Sequence, residues 1–397
     1  MQPLKGITVV TLEHAIAAPF ATRQLADMGA RVIKIERPGV GDFARGYDDR
    51  VRGLASHFVW TNRSKESLTL DIKHAEAQKI LMRLIVEQAD VVVQNLAPGA
   101  AARLGLSYAA LSKLKPGIIV CDISGYGDDP QNPGPYRDKK AYDLLIQSEA
   151  GFVSVTGTPD EPAKSGNSIA DIAAGMYAYT NILAALMYKQ QTGQGQRIDV
   201  SMLESLTEWM GFPLYYAFEG ASPPPRAGAS HATIYPYGPF LAGDGKTVML
   251  GLQNEREWKV FCDKVLMNPA LALDERFSNN AKRSAARADV SALIAAVFSK
   301  HTAIKVEELL ESAGIANAQV RTMAEVWAHP QLQARERWRE VDTPAGPVPA
   351  LLPPGSWQHS APRMDAVPAL GEHTDAILAA LGHSAEQISK LRAGGVI

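Results

Sequence analysis

The chain reads as an α/β protein whose larger part is built on a largely parallel sheet. Short runs rich in β-branched residues recur at 7–12, 31–36, 90–95, 118–123 and 197–202. Stretches with helical spacing lie between them. Within the runs apolar residues follow one another instead of alternating, so both faces of each strand expect cover, as in sheets flanked by helices on both sides.

Each element has its own signal. The first run opens almost at the N-terminus and is followed by a helical segment over 17–28 that stops at Gly29. The second, 31–36, ends in a turn around Gly39 and Gly41. Residues 67–72 form an extended segment, and 74–88 place Ile80, Leu81, Leu84 and Ile85 on one helical face. After 90–95 a helix starts near Pro98 and Gly99. A long helix over 172–189 precedes the run at 197–202. Composition then changes. Ser222 and three prolines, Pro223 to Pro225, make a stiff connector. Residues 237–252 read as a hairpin turning at Gly243, Asp244 and Gly245, and helical stretches follow at 255–265 and 290–313. Residues 340–360, rich in proline, lead back toward the first domain, and 372–397 read as two short helices. The expected organisation is a large domain over 1–220, a smaller α+β domain over 225–325, and a return segment over 340–397 that rejoins the large one.

The bulk numbers exclude several classes. A net charge of −2 gives no general attraction to nucleic acid or membrane surfaces. Two cysteines, Cys121 and Cys262, stand far apart in apolar settings, which suits a reducing compartment and excludes a disulfide framework. The start lacks a basic region followed by an apolar stretch, and no uninterrupted apolar run approaches the length of a bilayer, so a cytoplasmic location is expected. The turn after the first run has no glycine trio and no phosphate-binding loop is present, which argues against nicotinamide, flavin or nucleoside triphosphate chemistry. None of the nine histidines is paired at metal spacing on a helix, so no metal site is expected.

Asp171 is the residue of most chemical interest. It stands just ahead of the long helix expected at 172–189, where partial positive charge keeps an acid ionised and able to act as a nucleophile. Taken alone, the same position suits an N-cap. Basic residues gather at the expected strand ends: Arg37, Arg45, Arg63, Lys65, Lys73, Arg103, Lys139 and Lys140. A charged surface explains any one of them, whereas several together suggest a phosphate-bearing ligand.

The order and spacing of several motifs identify the chain as resembling the family III CoA-transferases, which include formyl-CoA and carnitine CoA-transferases and α-methylacyl-CoA racemase. The motifs are Ile33 to Gly39 with Gly41-Asp42, Asn62 to Ser67 through Leu70 to Lys73, Ala89 to Val91 through Asn95 to Pro98-Gly99, Asp171 with Gly175, Thr192 to Gln196, and Leu370 to Thr374. The resemblance implies a Rossmann-like large domain and a small domain, two copies interlocked as rings in a homodimer, and no tightly bound cofactor. It implies that Asp171 is the nucleophile, with Asp143 near it in a supporting role. It also implies a site for CoA, bound as substrate, built from His14, Arg37, Leu70, Ile72, Lys73, Asn95, Leu96, Arg103, Lys140 and Tyr142.

The chemistry implied is an acyl exchange through an aspartyl mixed anhydride. In the racemase branch a histidine precedes the aspartate that matches Asp143; here that position is Tyr142, a poor base with an ordinary pKa of about 10, which favours the transferase. The glutamine of formyl-CoA transferases is Ile16 here, and their tryptophan is Tyr47. Their glycine-rich loop is replaced by residues 226–238. That segment resembles the branch acting on small dicarboxylates such as succinate, mesaconate, itaconate or malate. His231 and Arg45 are candidates to pair with a distal carboxylate; His231 fits a structural histidine equally, and Arg45 a phosphate. The alternatives are an acyl-CoA racemase, epimerase or isomerase on the same fold, and a non-catalytic acyl-CoA binder.

Overall fold

The structure is a computed structural model describing all 397 residues. Six strands form one sheet: β1 (Thr8–Leu12), β2 (Arg31–Glu36), β3 (Lys65–Thr69), β4 (Val91–Gln94), β5 (Ile119–Ser124) and β6 (Arg197–Ser201). Every neighbouring pair is parallel, and the order across the sheet is β3-β2-β1-β4-β5-β6. The chain moves outward from β1 in one direction and then restarts from β4 in the other. The carboxyl ends of β1 and β4 therefore flank the switch point, where open α/β sheets bind ligands.

The strands are apolar on both sides because both sides are covered. One face carries Val10, Ile33, Leu68, Val92 and Val120 against helix α2 (Ala75–Gln88), which presents Ile80, Leu81 and Leu84. Two C-terminal helices, labelled below, join this core through Ile377, Leu378, Leu381 and Ile388. Helices α1 (Ala17–Asp27), α3 (Asp143–Glu149), α4 (Ile169–Thr192) and α5 (Met202–Trp209) complete the elements that matter here. The two longest of these, α1 and α4, pack on each other, and α4 also contacts β5 and β6.

Helix α4 is 24 residues long and apolar enough by length and composition to cross a membrane, although Asp171, Thr180, Asn181 and Lys189 interrupt its apolar run. Its Ala170, Ala173, Ala174, Ala178 and Ile182 are buried within the protein. The helix ends at Gly193, which is left-handed at φ 75°. Two residues on, a side chain at Gly195 would meet the carbonyl of Ile118 at 1.8 Å, so the connection into β6 admits only glycine there.

Two compact units divide the chain. The first comprises Met1–Gly151, Ser165–Gly211 and Gln331–Ile397, and the second Phe152–Lys164 and Phe212–Pro330. The short segment Phe152–Lys164 groups with the second unit although in sequence it lies within what reads as the first domain. The second unit holds an antiparallel sheet of β7 (Tyr237–Leu241), β8 (Thr247–Gly251) and β9 (Ala316–Gln319). Trp258, Phe261, Phe277 and Phe298 form its aromatic core. The stretch expected as one helix over 290–313 is two, α6 (Arg287–Phe298) and α7 (Ala303–Ala313). The Thr302 side chain caps the second by accepting the Lys305 N–H. A two-stranded ribbon, β10 (Trp338–Val341) and β11 (Val348–Leu351), precedes α8 (Thr374–Ala380) and α9 (Ala385–Ala393) in the first unit.

Several cations read as strand-end surface charges are instead interior. Lys65 opens β3 at its amino end, fully enclosed, and donates to Glu13 Oε1 at 2.7 Å, the Pro19 carbonyl at 3.0 Å and Asn62 Oδ1 at 3.1 Å. Arg63 forks onto both oxygens of Asp27 at 2.8 Å. Glu13 also accepts from Lys34 at 3.4 Å, Thr11 at 2.9 Å and Thr22 at 2.6 Å. Burial pushes the Glu13 pKa up, and the Lys65 and Lys34 ammonium groups more than reverse it. Pairing begins two residues earlier in β3 than expected, so Leu70 and Ile72 lie beyond the strand's carboxyl end.

Glu13→Ala leaves Lys65 without its carboxylate in the interior. The expected cost is about 3–5 kcal/mol of folding free energy, read as a lower urea midpoint at unchanged slope.

Candidate active site

The turn from β1 into α1 is the centre of the site. Its residues His14, Ala15 and Ile16 follow the buried Glu13. Ala15 is left-handed at φ 61°, a conformation that costs an L-residue roughly 1–2 kcal/mol. Neighbouring strands hold it there. From the end of β4, Asn95 Oδ1 accepts the His14 N–H and Asn95 Nδ2 donates to the His14 carbonyl, both at 2.9 Å. From the loop after β2, Asp42 Oδ1 accepts the Ala15 N–H at 3.0 Å. Asp42 is itself fixed: its Oδ2 takes the Lys34 ammonium at 2.5 Å and its N–H donates to Glu36 Oε1 at 3.0 Å. Burial raises the Asp42 pKa, but Lys34 holds it well below the ordinary carboxylate range.

Asp171 is the third residue of α4 and lies inside the first turn, not ahead of it. The helix starts earlier than expected, at Ile169, because Asp143 Oδ1 accepts the Ala170 N–H at 2.8 Å. The N-cap is Ser168, so the simple capping role considered for Asp171 does not apply. Burial pushes the Asp171 pKa up to about 7, and the nearby negative charge of Asp143 adds to the rise. The backbone N–H of Ala17 faces the carboxyl and pulls the other way. The approach of α1 that brings Ala17 so near depends on Gly175, one turn below Asp171. A side chain at 175 would meet the Ala17 carbonyl at 2.7 Å and the Phe20 ring at 2.9 Å.

Asp143 opens α3 and is a neighbour in its own right. Its Oδ2 accepts from the buried Gln147 at 2.7 Å, and Gln147 in turn accepts the Ser165 N–H at 2.8 Å. Tyr142, just before it, is 70% exposed. Tyr47 lies within electrostatic range of Asp171 and Tyr142: burial first, then the charges of Asp42 and Asp171, raise its pKa. Ile16 is buried at the α1 N-cap, and its backbone, not its side chain, belongs to the turn.

The residues expected to hold CoA fall at the carboxyl edge of the sheet. The Phe43 ring carries the His14 ring at 4.7 Å on one contact and the Arg37 guanidinium at 5.2 Å on another. Arg37, Lys73, Arg103 and Lys140 are exposed, and no protein carboxylate claims them. Leu70 is buried, while Ile72 and Leu96 are half-buried against the same core. Asn95 is the exception, since both ends of its amide are engaged by His14.

Two substrate candidates have other work. Arg45 forks onto Glu36 at 2.8 Å through both Nε and Nη2 and lies 3.7 Å over the Phe58 ring, which corrects its assignment to a distal carboxylate or phosphate. His231, in the second unit, accepts at Nδ1 from the N–H groups of Thr233 and Ile234 and stacks on Tyr237 at 5.3 Å, as a structural histidine does. The sequence reading gave Asp42 and Ala15 no role. Asp42 has one local signal, an acid after a glycine and immediately before a short helical turn, Phe43–Gly46.

Residues 4–374 match the family model described as CoA-transferase family III. The chain is 34% identical over 389 residues to a succinate–glutarate CoA-transferase from Agrobacterium fabrum, covering 96% of each. It is 32% identical over 353 residues to a succinyl-CoA:mesaconate CoA-transferase from Haloarcula hispanica, covering 87% of each. In three dimensions it is similar to the crystal structure of a CAIB/BAIF family protein from Brucella suis, at a TM-score of 0.83 and 34% identity, covering 96% of this chain and 99% of that one.

The raised pKa of Asp171 carries a stability consequence with a definite sign. The folded state holds a proton there up to about pH 7, whereas the unfolded chain releases it near the ordinary aspartate value of 3.8. Stability therefore declines as pH rises through that window, and the full penalty stands above it. Asp171→Asn should unfold at higher denaturant than the parent at pH 8, by roughly 2–4 kcal/mol, and the difference should vanish near pH 4.

Proposed function

The chain belongs to CoA-transferase family III, and from that membership we propose that it moves CoA between two small dicarboxylic acids through covalent intermediates on Asp171. The observation that carries the mechanism is the Asp171 carboxyl: partly open at the first turn of α4, made more basic by burial and by Asp143, and faced by the N–H of Ala17.

An Asp171 oxygen attacks the thioester carbonyl; the new C–O bond forms as the C–S bond breaks, and the CoA thiolate leaves with the electron pair. The product is a mixed anhydride. The thiolate then attacks the aspartyl carbonyl carbon and expels the donor acid as a carboxylate, leaving CoA as a thioester on Asp171. The acceptor carboxylate attacks that thioester, and the released thiolate attacks the acceptor's carbonyl, freeing Asp171 and giving the new acyl-CoA. No proton is consumed and no water enters, so the thioester energy is conserved. Each attack develops an oxyanion, and the Ala17 N–H in the first turn of α1, which faces the Asp171 carboxyl, is a donor of the right kind.

Arg37, Lys73, Arg103 and Lys140 suit the phosphates of CoA, with the rings of His14 and Tyr142 and the apolar Leu70, Ile72 and Leu96 along the rest of the ligand. Tyr142, where a racemase would need a base, favours transfer over proton exchange at the α-carbon. Dicarboxylate substrates follow from the relatives' named activities. An interlocked homodimer is part of the same reading. It gains support from Phe212, Leu214, Tyr215 and Phe218, more than half exposed in one short segment of the second unit, which a second copy would cover. Cys121 and Cys262, both buried and free, suit the reducing cytoplasm.

Incubation with succinyl-CoA and hydroxylamine should place a hydroxamate on Asp171, detected by peptide mass spectrometry; modification elsewhere alone would remove Asp171 as nucleophile. The attacking form is the carboxylate, so kcat/KM should fall as pH drops through about 7. Asp143→Asn keeps an acceptor for the Ala170 N–H and removes the like charge, and should move that midpoint downward.

A further inference from the structure

Ala15 sits in a backbone conformation that alanine adopts rarely, and nothing in its own side chain explains it. The explanation lies on the neighbouring strand. One oxygen of Asp42 takes two backbone N–H groups, Ala15 at 3.0 Å and Ala44 at 2.9 Å, and the other takes Lys34. Capping the short turn that begins at Phe43 needs only the Ala44 contact. A buried carboxylate with a buried lysine of its own is more than a surface cap requires, and the surplus contact falls on Ala15. Asp42 cannot follow the turn if the turn relaxes, because Glu36 holds its N–H and Arg45 and Ser67 hold Glu36. Asn95 fixes His14 from the other side. Two residues past Ala15 is Ala17, whose N–H faces Asp171 and whose carbonyl rests against Gly175.

We infer that Asp42 is a positioning residue for the transfer reaction: by holding Ala15 left-handed it sets where the first turn of α1 begins, and so presents the Ala17 N–H to the reacting carboxyl of Asp171. It touches neither substrate nor nucleophile. The inference rests on Asp171 being the group that carries the acyl chain. Besides the Ala17 N–H from α1, the groups that face Asp171 are Asp143 from α3 and Tyr47 from the loop after β2, with Tyr142 in range of Tyr47. The charge of Asp42 also acts on Tyr47, and its Oδ1 lies 3.8 Å from His14 Nδ1, so the route through the turn is isolated by a change at Ala15 that leaves Asp42 in place.

The test compares the parent with Asp42→Asn, the double variant Asp42→Asn/Ala15→Gly, and Ala15→Val, using succinyl-CoA and hydroxylamine and following hydroxamate on Asp171 against pH. Asp42→Asn cannot set its amide NH2 against the Lys34 ammonium; with Oδ1 turned to Lys34 it offers Ala15 a donor in place of an acceptor. It should therefore lower kcat roughly 10- to 100-fold with the KM for succinyl-CoA little changed, and should raise the pH midpoint of adduct formation, since a contact favouring the carboxylate is lost. Glycine at 15 takes the left-handed turn without a strut, so the double variant should recover several-fold in kcat. Ala15→Val leaves the Asp42–Lys34 pair intact but resists the turn, and should raise the midpoint in the same direction even if Asp42→Asn does not fold. A parental midpoint and kcat in folded Asp42→Asn, a parental midpoint in Ala15→Val, or a double variant no faster than the single one would each overturn the role of Asp42. A parent enzyme that forms no adduct on Asp171 would instead remove the covalent reading beneath it.

Discussion

The turn between β1 and α1 is the constraint on which the site depends. Five residues, Glu13 to Ala17, are held from below and from both sides. Glu13 is anchored in the interior by Lys65 and Lys34, His14 is bonded through its backbone to Asn95, and Ala15 is drawn over by Asp42. The three anchors come from β3, from the end of β4 and from β2 with its following loop. The turn therefore inherits the rigidity of four adjacent strands at the sheet's switch point. Its position decides where α1 starts, and α1 together with Gly175 decides how closely α4 can bring Asp171. The carboxylate proposed as nucleophile sits on a helix, yet it takes its position from the sheet.

The charges of the large unit divide into two populations with different work. Lys34, Lys65, Arg45, Arg63 and Arg23 are consumed by Glu13, Asp42, Glu36 and Asp27 in the interior. Such pairs add little net stability over an apolar core of the same shape, but breaking one is expensive, so they fix a unique arrangement of the loops they join. Arg37, Lys73, Arg103 and Lys140 stay in solvent with no carboxylate partner, as a polyanionic ligand requires. The acids divide in the same way. Asp42 and Glu13 are held ionised by lysines, whereas burial raises the pKa of Asp171 and the charge of Asp143 adds to the rise.

The sheet is legible in the sequence because buried parallel strands carry apolar residues on both faces, and helix ends are close because Gly29 and Gly193 follow them. The charged residues were legible only as charges. Arg45, Arg63 and Lys65 look alike along the chain with Arg37 and Lys73. What separates them is a partner 9, 36 or 52 residues away. The start of α4 was misplaced for the same reason, since the acid that satisfies Ala170 lies 27 residues upstream. The long stretch read as one helix in the second unit breaks where Thr302 offers a better cap than a continued turn. In each case a side chain reaching across the fold overrode the local pattern.

The electrostatic setting of Asp171 also bears on the energetics of the proposed exchange. A carboxylate of ordinary basicity is a far better leaving group than a thiolate, with reference pKa values of about 4 and about 8.5. An anhydride on such an acid lies well above the thioester from which it forms, so the first step is uphill. Raising Asp171 to about 7 narrows that gap while keeping the carboxylate the weaker base, so it still departs when the thiolate returns. The Ala17 N–H limits the rise and is available to an oxygen that carries charge. A site with more positive charge around Asp171 would ionise it more fully but leave it a poorer nucleophile, and one without the N–H would leave it protonated at neutral pH. One acid beside it and one N–H before it leave Asp171 between the two extremes.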